Sequence, residues 1–340
     1  MINGISVVIC CYNSENRLPE VLEHLNRQVV DSGILWEVLV IDNASKDRTA
    51  EVAVESWKRK EVSLRVVHEP KPGLSHARLA GFNESAFEIV SFIDDDNWVE
   101  SAWIHKVYHT MSEDPNIGIL GGRGDAAFDS EPPFWFTKFE AAYAVGADGK
   151  KTGIQPGKLL RGAGMNVRKD VWNQLANNGF EFILSDRKGS ALSSGGDGEL
   201  CLAFRLAGYD LYYDDDLTFF HFMPEGRLNW PYLVKLFKAF GKAAPIENLY
   251  ETLINDTGCR QYRNTHPILS LAKYFLQYIR ITPIIISLFF EKKEGNERAL
   301  RVVYVRESFR ERLRLLFTFP SLVKKIREGK WHQHLNYQKG

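Results

Sequence analysis

Three consecutive aspartates, Asp94, Asp95 and Asp96, directly follow the apolar segment 89–93. An apolar run of this kind predicts a buried strand, and open α/β sheets bind their ligands at the carboxyl ends of such strands. Adjacent carboxylates repel one another unless a cation joins them. Their oxygens suit Mg²⁺ or Mn²⁺, which usually also binds oxygens of a substrate diphosphate. The triplet therefore predicts a metal-assisted diphosphate site, with a solvated acidic turn as the alternative.

The elements that must position this triplet are strands alternating with helices. The apolar spacing of Leu18, Val21, Leu22 and Leu25 predicts a helix directly after the first strand. Ser45 is a suitable N-cap for the helix that follows the second strand. This alternation predicts an α/β fold of Rossmann-like type, with a mostly parallel central sheet flanked by helices. The predicted strands are 5–11, 36–41, 64–67 and 89–93, and a helix is predicted at 75–88.

The middle of the chain is less regular. The segment 120–124 contains three glycines, which favours a bend or loop over a strand. After about residue 226 the pattern becomes helical, so we expect a catalytic domain at 1–225 and a helical, basic region at 226–340. Between residues 124 and 226 the pattern predicts a strand after 162–164, a helix at 199–207, and short strands at 209–213 and 218–222.

Charge is unevenly distributed along the 340 residues. Residues 1–256 carry 26 Lys and Arg against 37 Asp and Glu, whereas residues 257–340 carry 17 against 6. The whole chain has a net charge of zero, but its first part has −11 and its second part +11. This split predicts a cation-binding body and a basic C-terminal region that attracts an anionic partner.

The cysteines and the N-terminus both indicate a cytoplasmic protein. The N-terminal residues lack a basic segment, which predicts no signal peptide. Reduced thiols are expected, because no disulfide framework is visible in the spacing of Cys10, Cys11, Cys201 and Cys259.

The C-terminal region contains two amphipathic segments. In 267–290, charged and polar residues interrupt the apolar run, and the uninterrupted part, Ile281–Phe290, has only 10 residues. A spanning helix needs about 20 apolar residues, so a membrane span is not expected. The basic segment 301–327 has an apolar face that suits an anionic membrane surface. We expect peripheral binding to the inner face of the membrane, with packing on the body or in a homo-oligomer as the alternative.

Six short motifs, in order along roughly residues 5–222, resemble the family 2 glycosyltransferases, which have a GT-A fold. Each lies at the end of the element expected for it. The resemblance therefore implies a GT-A fold with a helical C-terminal extension. The motifs are Tyr12-Asn13, the segment 40–47, the segment 73–78, the Asp triplet, the segment 196–200 and His221.

The resemblance implies a nucleotide-sugar site after the first, second and fourth strands. Asp42 resembles the acid that accepts a hydrogen bond from the base, and Arg78 resembles an arginine facing the nucleotide pocket. Asn43 and Ser45 are equally suited to plain turn and capping roles. The residues expected to bind the donor are Tyr12, Asn13, Glu15, Asp42, Asn43, Arg78, Asp94 and Asp95.

The metal and catalytic residues also follow from the resemblance. Asp94 and Asp96 form an Asp-x-Asp pair in which Asp96 is expected to hold Mn²⁺ or Mg²⁺, together with His221. Asp197 is the candidate base that takes the proton of the acceptor, and Glu199 is a weaker candidate. The family often has two adjacent acids at this point, but here Gly196 replaces the first. A helix N-cap and a core histidine are the simpler interpretations of Asp197 and His221.

Two further segments resemble or suit an acceptor site. The segment 162–166 resembles the loop beneath the donor sugar and the acceptor, where glycines permit close approach to a ligand. The aromatic segment 134–136 could stack on an acceptor sugar, although core packing is the commoner role of such residues.

The implied function is metal-dependent, inverting hexosyl transfer. The donor would be a nucleotide-sugar, UDP-sugar by default, and the acceptor a saccharide or lipid-linked hydroxyl in surface polysaccharide or lipid-linked glycan assembly. No nucleic acid partner is expected. A nucleotidyltransferase is disfavoured because residues 12–16 do not form a glycine-rich basic loop. A non-catalytic nucleotide- or sugar-binding module is left open by Gly196.

Overall fold

One sheet organises the described part of the chain, which in this computed structural model comprises residues 4–147, 151–184, 195–255, 266–287 and 293–332. Cys259 and residues 288–290 of the predicted apolar segment lie outside these ranges. The strands are β1 Gly4–Cys11, β2 Leu35–Asp42, β3 Leu64–His68, β4 Ile89–Asp94, β5 Asn97–Val99, β6 Ile117–Phe128, β7 Gly153–Ile154, β8 Met165–Arg168 and β9 Asp210–Met223.

The strand order is β3-β2-β1-β4-β8-β6-β9-β5, with β7 paired to β9. All pairings among β1 to β4 are parallel, as is the long pairing of β6 with β9. Strands β5, β7 and β8 are antiparallel to their neighbours. Most residue pairings in the sheet are therefore parallel, which confirms the predicted α/β class.

Helices cover both faces of the sheet, because successive strand side chains point to opposite faces. Val8 faces one core together with Phe82, while Ile9 faces the other together with Leu22. The helices are α1 Leu18–Asn26, α2 Thr49–Ser56, α3 Leu74–Glu84, α4 Trp103–Glu113, α5 Phe136–Phe139, α6 Lys169–Asn177, α7 Gly196–Leu206, α8 Trp230–Ile254, α9 Pro267–Ser287, α10 Glu297–Leu315 and α11 Phe319–Arg327.

The parallel strands bring their carboxyl ends to one edge of the sheet. Cys11 at the end of β1 is in register with Asp42 at the end of β2, and Cys10 is in register with Asp94 at the end of β4. Most of the polar residues predicted to bind ligand lie in the turns that follow these strands. This edge is therefore where the candidate site must be sought.

The glycine-rich segment 120–124 is a strand, and its prediction as a bend or loop is wrong. It forms the middle of β6, paired in parallel with β9 through a register shift between Gly121 and Arg123. A Cβ at Gly122 would overlap the carbonyl oxygen of Leu217, and one at Gly124 would lie 2.5 Å from the carbonyl oxygen of Ala144. Gly122 and Gly124 are therefore required by the close approach of neighbouring backbone, and they do not break the strand.

Two smaller predictions also fail. The segments 209–213 and 218–222 are joined in the single strand β9, whose bulged pairing with β6 accommodates the polar residues between them. Ser45 does not cap α2, which begins at Thr49; its hydroxyl instead accepts a hydrogen bond from the backbone N–H of Asn13 at 3.1 Å. Ser45 therefore joins two turns at the ligand edge of the sheet.

The C-terminal helices pack on the body to different extents. Apolar side chains of α10 and α11, including Leu315, Phe319 and Ile326, are buried in contact with the body. In contrast, α9 exposes a row of large apolar residues that includes Phe275, Leu276 and Ile279. Among the described residues, no helix combines the length and the apolar character needed to cross a membrane.

The aromatic segment 134–136 is divided between core and surface. Trp135 and Phe136 are buried in a cluster with Leu233 of α8 and Leu300 of α10, whereas Phe134 is 77% exposed. The first two side chains therefore connect the body to the C-terminal helices. Only Phe134 is exposed enough to meet an acceptor sugar.

Candidate active site

A cavity of about 410 Å³ lies at the carboxyl ends of β1 and β4 and is closed on its far side by α8. It is lined by residues from both halves of the body and by the first turn of α7. Of the side chains predicted to bind donor or metal or to act as base, the cavity brings together Tyr12, Asn43, Arg78, Asp94, Asp95, Asp96, Asp197 and His221.

The charge of Asp95 is balanced by a neighbouring arginine of the same chain. Its carboxylate lies 2.6 Å from the guanidinium of Arg17 and accepts a hydrogen bond from the hydroxyl of Ser14. Burial raises the pKa of Asp95, and the charge of Asp96 raises it further, while Arg17 opposes both effects. Arg17 precedes α1 and was not predicted; its position just ahead of the helix in a polar turn was the available signal.

Asp96 is almost fully buried, with 2% of its surface exposed, and it has its own cationic partner. Arg227 lies 2.8 Å from Oδ2 of Asp96, and Nε2 of His221 lies 3.4 Å from Oδ1. Burial lowers the pKa of Arg227, but the charge of Asp96 outweighs this effect and raises it above its ordinary value. Arg227 therefore stays charged and replaces, in this arrangement, the cation that the triplet was expected to need.

Asp96 and His221 offer a pair of ligand atoms for a divalent cation. Oδ1 of Asp96 and Nε2 of His221 face each other, and Nδ1 of His221 has no hydrogen-bond partner among the described residues. No third His, Cys, Asp or Glu of the described ranges joins them in a compact cluster. Carboxylate and imidazole suit Mn²⁺, and such ions commonly complete their shells with phosphate and water. The two residues fit the predicted ion if the guanidinium of Arg227 moves away from the carboxylate of Asp96.

The polar residues after β1 and β2 hold the turns together. The Asn43 side chain accepts a hydrogen bond from the backbone N–H of Gly73 at 2.7 Å and donates one to the carbonyl of Lys71 at 2.7 Å. Asn13 has φ of 49° and accepts a hydrogen bond from the backbone N–H of Lys46 at 2.9 Å. These bonds position the rim of the cavity.

Three of the predicted donor-binding residues lie beside the cavity and not in its lining, as far as the described residues define it. They are Asn13, Glu15, whose carboxylate accepts the backbone N–H of Arg48 at 3.0 Å, and Asp42, which accepts that of Ser45 at 3.2 Å. Asp42 is 8% exposed, and its other oxygen lies 3.4 Å from Nδ1 of His68. A direct role for these three residues in nucleotide binding stays a prediction.

Asp197 is fixed at the start of α7 with its carboxylate at the cavity wall. Oδ2 accepts the backbone N–H of Gly162 at 2.9 Å, and Oδ1 accepts that of Gly198 at 3.0 Å. A Cβ at Gly162 would lie 2.7 Å from Nη2 of Arg78 and 3.0 Å from Oδ2 of Asp197. Glycine at 162 therefore lets the base candidate and the arginine approach each other across this loop.

Glu199, the weaker base candidate, is held in the protein interior by hydrogen bonds. It is fully buried, and its carboxylate accepts hydrogen bonds from the backbone N–H groups of Ile183 and Leu184 and from the hydroxyl of Tyr250, at distances of 2.7 to 3.0 Å. It does not line the cavity. These bonds anchor a loop to α7 and α8.

The cavity also contains cations and aromatic rings that motif reasoning missed. Arg227 follows β9 by four residues, and only its distance of six residues from His221 could have drawn attention to it. Arg161, next to the 162–166 loop, donates a hydrogen bond to the carbonyl of Gly146 at 2.9 Å. The missed cationic and aromatic residues in the lining are Arg17, Tyr143, Arg161, Arg227, Tyr232 and Phe240.

Comparisons with known sequences agree with this arrangement. Residues 6–162 match the sequence model of the family described as Glycosyl transferase family 2. A Bacillus subtilis protein named Uncharacterized glycosyltransferase EpsJ is 28% identical over 121 residues, which are 36% of this chain and 34% of that protein. The Undecaprenyl-phosphate 4-deoxy-4-formamido-L-arabinose transferase of Pectobacterium carotovorum is 32% identical over 96 residues, 28% of this chain and 29% of that protein. The match thus spans about a third or less of each relative.

Solved structures share the fold over nearly the whole chain. S. aureus TarS in complex with UDP has a TM-score of 0.52 at 13% identity, with 96% of this chain and 92% of that chain covered. The mannosyltransferase PcManGT of Pyrobaculum calidifontis, in complex with GDP-Man and Mn²⁺, has a TM-score of 0.57 at 15% identity, with 92% and 87% covered. At these identities the likeness concerns the fold alone. Residues 6–162 are therefore similar to glycosyl transferase family 2, and the chain shares the GT-A fold of these two transferases.

Proposed function

We propose that this chain transfers a sugar from a nucleoside-diphosphate sugar to a hydroxyl acceptor, with inversion at the anomeric carbon. The observation that carries the proposal is the single cavity in which the acids after β4 and the carboxylate of Asp197 converge. The acids after β4 suit a diphosphate with its cation, and the carboxylate of Asp197 suits an acceptor hydroxyl. UDP is the expected nucleotide, and a hexose is the expected sugar.

Asp197 is the proposed base of this reaction. As the acceptor oxygen attacks, its proton passes to the Asp197 carboxylate, the bond from oxygen to the anomeric carbon forms, and the bond to the diphosphate breaks. Hydrogen bonds from the backbone N–H groups of Gly162 and Gly198 hold the carboxylate in place. Orientation of this kind lowers the barrier because the base need not be ordered during the reaction. A single base opposite the leaving group accounts for inversion.

Asp96 and His221 are the residues that would hold a divalent cation. When bound, Mn²⁺ or Mg²⁺ neutralises charge on the leaving diphosphate as a Lewis acid. Arg227 now occupies one oxygen of Asp96, so it must be released before both oxygens are available. A released guanidinium in the cavity wall can bind diphosphate oxygens, which arginine does well because of its planar pair of N–H donors.

The acceptor is proposed to be attached to a lipid, with the enzyme held at an anionic membrane surface by α9. This helix exposes Leu276 and Ile279 by 56% and 47%, next to the cations Lys273 and Arg280. Apolar area together with basic charge favours binding to anionic lipid. In the segment 301–327, Val305, Leu315 and Phe319 are buried, whereas Leu313 and Phe317 are exposed and can add to this binding.

Product analysis separates this proposal from its alternatives. The full chain is incubated with UDP-sugars, Mn²⁺ and a mixture of saccharide and lipid-linked saccharide acceptors. Glycosyl transfer releases nucleoside diphosphate, a nucleotidyltransferase consumes or forms pyrophosphate, and a binding module releases neither. Saturable nucleotide binding without any release over the whole acceptor panel would overturn the enzymatic proposal.

A further inference from the structure

Glycines flank Asp197 in the first turn of α7 and leave space there for a side chain of α8. Glu247, on α8, points to the first turn of α7, which carries Asp197. An ideal Cβ at Gly198 would lie 3.1 Å from Oε1 of Glu247, and one at Gly195 would lie 3.7 Å from it. A carboxyl group from a distant part of the chain therefore lies against the same turn as the base.

Glycine at 198 leaves the space that this carboxyl occupies. The same Cβ would also lie 3.4 Å from the side chain of Leu159, so an alanine at 198 would be confined between that side chain and Glu247. Glu247 is half-buried, and no hydrogen bond to its carboxyl arises from the described residues. A half-buried carboxyl that faces other acids destabilises the fold when it is ionised, so its position beside Asp197 favours a role in the site.

Several groups face Glu247, and most of them are acidic. Burial raises the pKa of Glu247 to about 7, with further increases from the charges of Asp197, Glu199 and Glu251. From α10, the Tyr304 hydroxyl also interacts with Glu247. Glu251 is itself paired with Arg205 at 2.6 Å, and Glu199 is satisfied by backbone donors, so Asp197 is the functional neighbour.

We propose that Glu247 is a positioning residue for Asp197, supplying from α8 the second carboxyl of an acidic pair. This inference rests on the proposed glycosyl transfer. When Glu247 is ionised, its negative charge increases the affinity of the Asp197 carboxylate for the acceptor proton. When Glu247 is protonated, this effect is lost and Asp197 is a weaker base. Glu247 does not line the cavity and does not itself receive the proton.

The test is the pH dependence of transfer by the full chain, with Glu247→Gln compared to wild type. The wild-type rate is expected to rise through an inflection near pH 7, as Glu247 ionises. Glu247→Gln is expected to lack this inflection and to be several-fold slower at pH 8, because the negative charge beside Asp197 is absent. An unchanged inflection in Glu247→Gln would overturn the proposal.

Matched variants separate this role from a structural one. Glu251→Gln, one turn further along α8, removes a neighbouring acid and should retain the inflection at a slightly lower pH. Glu247→Asp retains a titrating carboxyl and should restore an inflection that Glu247→Gln has lost. If Glu251→Gln abolishes the inflection as completely as Glu247→Gln does, the specific role of Glu247 is contradicted.

Two further measurements distinguish failure of this inference from failure of the proposed function. Calorimetry with UDP should give equal affinities for wild type and Glu247→Gln, because Glu247 lies outside the cavity lining. Wild-type transfer with an identical pH profile in Glu247→Gln contradicts the role of Glu247 alone. If wild type binds UDP but transfers no sugar at any pH, both the proposed function and the role of Glu247 fail.

Discussion

The guanidinium of Arg227 lies 2.8 Å from the carboxylate of Asp96, inside the cavity wall where the acidic triplet was expected to bind a metal ion. Asp96 is nearly inaccessible to solvent, so its charge needs a partner at all times. A divalent cation can become that partner only if Arg227 moves away from at least one oxygen. Metal binding and the position of Arg227 are therefore expected to be coupled.

Removal of Arg227 tests this coupling. In the absence of metal, Arg227→Ala should lower the free energy of unfolding by at most about 3–5 kcal/mol, because the buried Asp96 loses its nearest cation. His221 and Asn97 stay beside it. Added Mn²⁺ should restore part of this loss in the variant and stabilise wild type less. Arg123→Ala is the control, since Arg123 pairs with Asp125 at an exposed site. Equal denaturation midpoints for wild type and Arg227→Ala without metal would contradict the coupling.

The part of the fold that the sequence predicted well is the part governed by local patterns. The apolar spacing that includes Leu18 and Leu22 gives α1 its buried face, and uninterrupted apolar runs become the parallel strands β1 and β4. The catalytic and metal-binding candidates Asp197, Asp96 and His221 were assigned by family resemblance, and they do meet in one cavity.

What could not be predicted depends on contacts between distant segments. Gly122 and Gly124 are indistinguishable from loop glycines until the backbone at Leu217 and Ala144 is placed against them. Arg17 and Arg227 each neutralise an acid far away in the chain, and no local spacing reports such a pairing. The same holds for Glu247, which lies against the first turn of α7 although it follows Asp197 by fifty residues in the sequence.

Gly122 tests the explanation of the glycine-rich strand. Gly122→Ala should destabilise the fold by roughly 1–3 kcal/mol, because its Cβ would overlap the Leu217 carbonyl and force the β6–β9 pairing apart. Gly157→Ala is the control, since a Cβ there meets open space. Chemical denaturation measures both. If the two variants are equally stable, close backbone approach does not explain the glycine at 122.

The raised pKa of Glu247 predicts a specific dependence of stability on pH. The ordinary pKa of 4.5 applies to the unfolded chain, and the folded value is about 7. Between these values the folded protein holds a proton that the unfolded chain has released, so stability falls as pH rises through this window. Glu247→Gln should gain stability relative to wild type between pH 5 and pH 8, by at most about 3 kcal/mol. A constant difference across that range would contradict the raised pKa.

The exposed face of α9 is tested in the full chain, because truncation before α9 would also remove α10, whose Leu300 and Leu315 are buried against the body. Leu276→Glu with Ile279→Glu should reduce co-sedimentation with anionic vesicles several-fold. Wild-type binding should weaken as salt rises, since charge attraction is screened. Val54→Glu, at a residue 64% exposed on α2, is the control. Wild type that stays in the supernatant with anionic vesicles at low salt would contradict membrane attachment.

The central claim is that the cavity transfers sugar with Asp197 as the base, and Asp197→Asn tests it most directly. The amide preserves the shape of the side chain but cannot accept the acceptor proton. The measurement is nucleoside diphosphate release from a UDP-sugar with Mn²⁺ and acceptor, alongside UDP affinity by calorimetry. We predict unchanged UDP affinity and a rate reduced by about 10²–10⁴-fold. Release at the wild-type rate by Asp197→Asn would contradict the assignment of the base and the mechanism built on it.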